Sequence, residues 1–159
     1  MICAIISYGD EVQAKNRNEA EEPLRSMKRK VFELVQTLYT QGYDSFYTNC
    51  EYGIPLWASE AVALLKQFNP IELHIIMPFE EQAVHWSEDV RDRYFTLHEK
   101  ADSVELGCTW YREDCFRMTE QKMIDRSDAV VICGKEGCIP DMEEYARQQR
   151  VKVMYCPIN

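Results

Sequence analysis

Six short apolar runs, separated by stretches of helical periodicity, constrain the fold of this chain more than any other feature. The runs begin near residues 2, 45, 71, 103, 129 and 151, and most are continuously apolar. A continuous apolar run is typical of a parallel strand that is covered on both faces. Strands that alternate with helices predict a three-layer, Rossmann-like α/β fold: an open parallel sheet of five to six strands with helices on both faces.

The length and composition of the chain fit one domain. It has 159 residues, of which 46% are hydrophobic, and this is enough apolar material for a core. The pattern contains no internal repeat, low-complexity segment or interdomain linker. We therefore predict a single domain over residues 1–159, with the charged stretch 9–23 as a mobile surface loop.

Apolar residues at helical spacing predict five helices between the strands. Their expected ranges are 23–41, 55–68, 87–101, 115–126 and 141–149. Pro23 suits the start of the first helix, and Gly42 suits its C-terminal stop. Ser87 is the predicted N-cap of the third helix, because Glu88 and Asp89 follow it in the first turn, where negative charge complements the helix dipole.

The stretch 47–68 joins a strand, a tight turn and a helix. Pro55 suits the first position of that helix, where its missing N–H costs nothing. Backbone N–H groups at such a helix N-terminus point beyond the strand end and, together with the helix dipole, form an anion site. A plain strand-to-helix connection without a ligand is the alternative, since the single Gly53 is weak support for a phosphate loop.

Four loops are expected at the carboxyl ends of the strands, where ligands bind in open α/β sheets. They cover residues 7–10, 49–53, 78–82 and 134–139, and Tyr8 belongs to the first. In the third loop, the ring of Phe79 and the amide of Gln82 would suit an adenine-like base, unless they only anchor the loop by packing. In the fourth, Lys135 is the preferred phosphate partner, because it is a flexible point charge beside two glycines.

Three residues of the loop after the second strand receive individual predictions. Glu51 would repel a phosphate, so it is expected to hydrogen-bond ribose hydroxyls. Gly53 is expected to allow a positive φ or a close backbone approach, with an ordinary turn glycine as the alternative. Gly53→Val should then abolish ligand stabilisation and spare most of the fold's stability. Cys50 lies at a helix N-terminus, a location that can lower a thiol pKa, although Glu51 acts in the opposite direction.

The charge of the chain argues against nucleic-acid binding. The formal net charge is −9, the sequence pI is near 4.9, and no dense stripe of lysine and arginine offsets this charge. Phosphate backbones repel such a surface. The sequence also has no apolar run of the roughly 20 residues that a membrane span needs, and no signal-peptide pattern at its start. We therefore predict a cytoplasmic protein without nucleic-acid or membrane partners, and a homo-oligomer is an open option.

The seven cysteines and three histidines do not form a metal-binding pattern. Cys133 and Cys138 have four residues between them, but no second pair completes a zinc set. The histidines are scattered along the chain. We predict reduced structural thiols, no metal and no cofactor.

Five segments between residues 46 and 155 resemble a known superfamily. They are T-N-C-E-Y-G-I-P-L-W-A-S-E, P-F-E-E-Q-A-V-H-W, R-Y-F-T-L-H-E-K-A-D, M-I-D-R-S-D and G-K-E-G with the later E-Y-A. In this order they resemble the SLOG superfamily, the Rossmann-like domains shared by the Smf/DprA proteins and the LOG phosphoribohydrolases, and most of all its YpsA/YoqJ-like branch of unknown function. The resemblance implies a nucleotide-ligand domain and favours Arg93 as a site residue. Thr119 and Glu120 depart from the Arg-Asn pair of the related branch.

Both predicted phosphate loops depart from the pattern of this superfamily. Asn49 and Pro55 stand where a Gly and an Asp are common. In the loop after the fifth strand, the LOG enzymes carry P-G-G-x-G-T-x-x-E, whereas this chain has Cys138 for the Gly, Ile139 for the Thr and Met142 for the catalytic Glu. The resemblance therefore implies ligand binding without efficient hydrolysis of nucleoside 5′-monophosphates.

Three functions are compatible with the sequence. The first is a module that binds or senses a nucleotide or a nucleotide derivative. The second is an N-glycosidic-bond hydrolase of the LOG type, with Glu51 or Glu143 as acid/base. The third is a protein-interaction module with a degenerate ligand site. The predicted ligand-binding residues are Tyr8, Thr48, Asn49, Glu51, Tyr52, Gly53, Phe79, Gln82, Arg93, Gly134, Lys135 and Gly137.

Overall fold

One parallel sheet forms the centre of the molecule. The computed structural model describes residues 1–7 and 17–158. Its strands are β1 (Ile2–Ser7), β2 (Ser45–Thr48), β3 (Glu72–Phe79), β4 (Ser103–Cys108), β5 (Ala129–Cys133) and β6 (Lys152–Tyr155). Their order in the sheet is β4-β3-β2-β1-β5-β6, and every neighbouring pair is parallel. The predicted fold class, an open parallel sheet of the Rossmann-like type, is confirmed.

Helices cover both faces of this sheet. They are α1 (Leu24–Thr40), α2 (Ile54–Lys66), α3 (Glu88–Lys100), α4 (Cys115–Asp125) and α5 (Pro140–Gln148). The first three pack on one face, and α4 and α5 pack on the other. The division follows from right-handed crossovers, because the chain steps in one direction from β1 to β4 and then returns past β1 to β5.

The strands bury alternate side chains in two apolar layers. Ile5 and Phe46 lie in the layer under α1 to α3, whereas Ile6 and Val130 lie in the layer under α4 and α5. All four are fully buried or nearly so. Coverage of both faces explains why these strands are continuously apolar in sequence.

The ends of β3 and β4, at Phe79 and Cys108, each lie two residues beyond the predicted ones. In β3 the extension includes Pro78. This strand continues to Phe79, which pairs with Cys108 of β4, whereas the predicted strand ends two residues earlier. Pro78 is tolerated inside it because β2 has already ended, with Thr48 opposite Ile75, so no ladder hydrogen bond is lost on that side.

The predicted helix ends are largely confirmed. The Ser87 hydroxyl accepts the N–H of Val90 and caps α3. Gly42 follows the end of α1 with a φ of 98°, which suits a glycine after a helix C-terminus. Of the predicted loop 9–23, residues 9–16 lie outside the described residues.

Candidate functional site

The carboxyl ends of β2, β1 and β5 lie side by side. The connection after β1 crosses one face of the sheet and the connection after β5 crosses the other, so the chain reverses direction between these strands. Ligands of open α/β sheets bind in the crevice at such a switch. The β2 loop (residues 49–53) and the β5 loop (residues 134–139) flank it, roughly 10 Å or two strand spacings apart. Tyr8 follows β1 and lies outside the described residues.

Buried hydrogen bonds hold the β2 loop. The hydroxyl oxygens of Thr48 and Ser59 are 2.6 Å apart, and the N–H of Cys50 donates to Thr48 Oγ1 over 3.3 Å. The N–H of Glu51 donates to Asn49 Oδ1 over 3.0 Å. Thr48 and Asn49 are both buried. The loop is therefore built in a defined shape at the end of its strand.

Two residues of the β2 loop have a positive φ. Cys50 has a φ of 55°, and Gly53 combines a φ of 107° with a ψ of −133° at the N-cap of α2. The expectation that Gly53 allows a positive φ is thus confirmed. Pro55 occupies the first turn of α2 as predicted. The N-terminus of α2, where the helix dipole favours negative charge, opens directly from this loop.

The Gln82 side chain joins the β2 loop to α3. Its Nε2 donates to the Asn49 carbonyl oxygen over 3.1 Å and to Glu51 Oε2 over 3.0 Å. Its Oε1 accepts the Tyr94 hydroxyl over 3.0 Å. Gln82 and Tyr94 are both buried. The structure therefore brings three predicted site residues together, with Gln82 orienting the Glu51 carboxylate.

The Phe79 ring packs away from this cluster. It makes edge contacts with Tyr111 and Phe116, at centroid distances of 5.2 and 6.1 Å. Phe116 belongs to α4, so the ring lies on the α4 side of the sheet, whereas Gln82 contacts the α3 side. The contacts of Phe79 match the alternative in which it anchors its loop by packing.

The Glu143 carboxylate occupies the backbone donors of the β5 loop. Its oxygens accept the N–H of Gly137 at 2.9 and 3.2 Å and the N–H of Ile139 at 3.3 Å. The Tyr155 hydroxyl donates to it over 2.9 Å, and Arg147 lies 3.6 Å away. Glu143 is only 2% exposed. An internal carboxylate therefore sits at the N-terminus of α5, a position where backbone N–H groups and the helix dipole favour an anion.

Glu143→Ala is expected to destabilise the protein by roughly 1–2 kcal/mol, because it removes the buried acceptor of three partly buried donors, the N–H groups of Gly137 and Ile139 and the Tyr155 hydroxyl. Glu144→Ala is the matched control, since Glu144 is exposed and its carboxylate accepts a hydrogen bond from Gln148 one turn later on the same helix. Urea denaturation of both variants measures the difference. An equal, small effect in the two variants would show that the Glu143 contacts contribute little.

The remaining predicted residues of the β5 loop differ in exposure. Gly134 is buried and its N–H donates to the Ile132 carbonyl over 3.0 Å. Lys135 is exposed, and Gly137 is exposed with a φ of 85°. Lys135 therefore offers its charge to solvent at the rim of the crevice.

Tyr52 and Arg93 line a cavity of about 620 Å³ beside the β2 loop. Glu19, Lys28 and Asp89 contribute to the same walls. Burial raises the pKa of Tyr52 above its ordinary value. Sequence reasoning missed Glu19, and no local signal distinguishes it from the other glutamates of the charged stretch before α1.

The location of Cys50 at a helix N-terminus does not lower the pKa of its thiol, contrary to the effect that the sequence suggested. Its side chain is completely buried, and burial raises the pKa of the thiol well above its usual value. The hydrogen bond from Ser59 lowers the pKa by less than burial raises it, and Glu60 and Glu51 raise it further. A buried neutral thiol is a packing group rather than a nucleophile.

The described part of the chain has neither a cluster of metal-ligating side chains nor a membrane-spanning helix. Residues 1–7 and 17–158 contain no group of three or more His, Cys, Asp or Glu side chains placed to hold a metal ion. None of the helices in these ranges is long and apolar enough to cross a lipid bilayer.

The family model for YpsA, described as the YspA SLOG family, matches residues 14–152. The chain belongs to the YspA SLOG family. This finding confirms the family resemblance of the five motif segments, which lie almost entirely within the matched range.

Relatives of this SLOG chain include several UPF0398 proteins. It is 38% identical over 108 residues to UPF0398 protein BH1768 of Halalkalibacterium halodurans, covering 65% of this chain and 57% of the relative. It is 36% identical over 75 residues to UPF0398 protein lin2003 of Listeria innocua, and this match covers 47% of this chain and 39% of the relative. It is 26% identical over 119 residues to UPF0398 protein OB1025 of Oceanobacillus iheyensis, and this match covers 72% of this chain and 63% of the relative. The chain thus spans less than two thirds of the length of each.

A solved structure shares the fold of this SLOG chain. It is the molybdenum cofactor binding protein from the phototrophic bacterium Rippkaea orientalis, with a TM-score of 0.57 and 15% sequence identity. The match covers 97% of this chain and 74% of the other. At 15% sequence identity, the likeness shows that the two proteins share a fold.

Proposed function

We propose that this protein binds a nucleotide or nucleotide derivative at the carboxyl edge of its sheet. The observation that carries the proposal is the β2 loop, in which Cys50 and Gly53 adopt positive φ values inside a buried hydrogen-bond network. Such conformations cost free energy and cluster at ligand-binding sites, where the surroundings hold them in place. The loop leads into the N-terminus of α2, which favours an anionic ligand group.

The polar groups beside this loop suit the sugar and base of such a ligand. Gln82 holds the Glu51 carboxylate over 3.0 Å, and a carboxylate in this position can accept hydrogen bonds from ribose hydroxyls. The neighbouring cavity of about 620 Å³ has the size of small-molecule sites. The family, and the cofactor-binding description of the Rippkaea orientalis protein, agree with a small-molecule ligand.

Binding without efficient turnover follows from the β5 loop. In place of the catalytic glutamate of the LOG enzymes stands Met142, which is buried in the core. Glu143 is engaged by the backbone of its own loop. A methionine cannot stabilise a developing cation, and losing one such electrostatic contact commonly costs roughly two to three orders of magnitude in rate. Glu51 is the remaining acid/base candidate for the hydrolase alternative.

A ligand-retention experiment tests the proposal. We expect natively purified protein to release a nucleotide-type molecule on denaturation, detected by mass spectrometry, and AMP or ADP-ribose to raise Tm. A ligand at 100 times its Kd stabilises the native state by about 2.7 kcal/mol. Sustained release of ribose 5-phosphate from AMP that disappears in Glu51→Gln would favour the hydrolase instead. The absence of both a retained molecule and a thermal shift would favour the protein-interaction module.

The cellular setting is part of the same proposal. We propose a cytoplasmic protein that does not bind nucleic acid, supported by the net charge of −9. Salt-sensitive, submicromolar binding to single-stranded DNA would contradict it. A homo-oligomer stays a prediction, which sedimentation can test.

A further inference from the structure

Four charged side chains from separate parts of the chain meet beside the cavity at Tyr52. Arg93 comes from α3, Glu60 from α2, Lys28 from α1, and Glu19 from the segment before α1. The side chains of Arg93, Glu60 and Glu19 are only 21%, 26% and 17% exposed. The cluster is therefore shielded enough for its contacts to be strong.

The two glutamates hold the Arg93 guanidinium in different ways. Glu60 makes a two-point contact, with Arg93 Nε at 2.7 Å from Oε1 and Nη2 at 2.9 Å from Oε2. Glu19 contacts the other edge of the guanidinium. Arg93 Nη1 donates to Glu19 Oε2 over 2.5 Å, and Nη2 donates to Glu19 Oε1 over 3.2 Å. Glu60 belongs to a packed helix. Its two-point contact therefore fixes the direction in which the opposite edge of the guanidinium, the one that Glu19 contacts, points.

The position of the Glu19 carboxylate is a complete anion site. Besides Arg93, the indole N–H of Trp57 donates to Glu19 Oε1, and Lys28 Nζ lies 3.9 Å from Oε2. Burial opposes the ionised form, but these hydrogen bonds and charges outweigh it and hold the pKa of Glu19 below its ordinary value. Within this cluster of four side chains, Glu60 and Glu19 balance the positive charges of Arg93 and Lys28, while Asp89 lies in the wall of the neighbouring cavity.

Glu19 reaches this site from a segment with few other anchors. The other hydrogen bonds that residues 17–22 make within the described part of the chain are local: the N–H groups of Ala20 and Glu21 donate to Asn18, the Glu21 carbonyl accepts the N–H of Arg25, and the Glu22 carboxylate accepts from Arg25 and Ser26. The cavity of about 620 Å³ lies directly against this segment and has Arg93 and Lys28 in its wall. Glu19 can therefore leave the anion site without unfolding a helix.

We propose that Arg93, Lys28 and Trp57 form a binding site for the anionic group of the ligand, and that the Glu19 carboxylate is its built-in, displaceable occupant. An entering phosphate or carboxylate replaces Glu19 against the same three donors, and the segment 17–22 is released. Glu60 is a positioning residue. Identifying the anion with a nucleotide phosphate rests on the proposed function, whereas the anion site itself does not.

Binding of inorganic phosphate to Glu19→Ala tests the site. Removing the internal competitor should tighten phosphate binding at least about tenfold relative to wild type, which corresponds to Glu19 occupying the site about nine-tenths of the time. Glu22→Ala is the matched control, because it makes the same charge change three residues away at an exposed position. Adding Arg93→Gln to Glu19→Ala should remove the gain, and Arg93→Lys serves if that variant folds poorly.

The indole N–H signal of Trp57 reports occupancy directly. In ¹⁵N-tryptophan-labelled protein, phosphate should shift the Trp57 signal in Glu19→Ala more than that of the exposed Trp110. Assignment uses Trp86→Phe and Trp110→Phe, since the chain has three tryptophans. An unmoved Trp57 signal, or phosphate affinity no higher in Glu19→Ala than in Glu22→Ala, overturns the proposal and assigns Glu19 a purely structural role.

AMP and adenosine separate this proposal from the proposed function. If the anion site and nucleotide binding are both correct, Glu19→Ala binds AMP more tightly than wild type does and binds adenosine with unchanged affinity. If AMP binds wild type and Glu19→Ala does not change its affinity, the anion site is wrong and nucleotide binding stands. If phosphate binds Glu19→Ala tightly and no nucleotide binds, nucleotide binding is wrong and the anion site stands.

Discussion

Glu120→Gln is expected to stabilise the protein at neutral pH by roughly 1–3 kcal/mol, because the side chain is largely but not fully buried. Glu120 lies on α4 one turn from Phe116 and one turn from Ile124, on the side that packs toward the sheet. Burial raises the pKa of its carboxyl to about 8. Within residues 1–7 and 17–158, it makes no hydrogen bond or ion pair that would offset this burial.

The sign of the effect follows from the two pKa values. The unfolded carboxyl titrates near 4.5 and the folded one near 8, so the folded state binds more protons between these pH values. The contribution of Glu120 to stability is full below pH 4.5 and is lost as the pH rises to 8. A glutamine does not titrate, so the advantage of the variant should grow over the same interval and then level off.

Urea denaturation of wild type and Glu120→Gln at several pH values between 4.5 and 8.5 measures this effect. Other groups, such as His98 with its pKa lowered by burial, titrate equally in both proteins and cancel in the difference. Glu113→Gln is the control, because it removes the same charge at an exposed position. A pH-independent difference between wild type and Glu120→Gln would contradict the prediction.

Gly53→Val is expected to cost roughly 1–3 kcal/mol of stability and to abolish nucleotide stabilisation. The sequence alone predicted that this substitution would spare stability, but the observed φ of 107° and ψ of −133° are adopted almost only by glycine. Valine would force the β2 loop into another shape. The Gly53 carbonyl also accepts the N–H of Trp57 over 2.9 Å, so α2 would lose part of its first turn.

Gly42→Val separates the two parts of this prediction. Gly42 has a similar φ of 98°, but it follows α1 at the opposite end of the sheet, and an added Cβ there meets only ordinary contacts. Both variants should lose stability, and only Gly53→Val should lose nucleotide binding, as measured by the rise in Tm with added AMP. If Gly53→Val binds AMP as wild type does, the β2 loop is not part of the site.

The class of fold and the order of its elements were predictable from the amino-acid sequence. Strands buried on both faces must be continuously apolar, and amphipathic helices must repeat every 3.6 residues, so both are visible in a local window. The caps were predictable for the same reason, because Ser87 and Gly42 act on backbone groups a few residues away. The motif segments also identified the family, which the match over residues 14–152 confirms.

Which side chains meet across the fold could not be predicted from the sequence, because it depends on how the elements pack. Glu19 and Arg93 are 74 residues apart, and their pairing depends on α1, α2 and α3 packing on one face. Cys50 is a buried packing group because the apolar core surrounds it, a fact that its place at a helix N-terminus does not reveal. The Glu143 carboxylate meets Tyr155 only once β6 has docked beside β5. Contacts of this kind depend on strand order and crossover direction, which no local pattern of residues encodes.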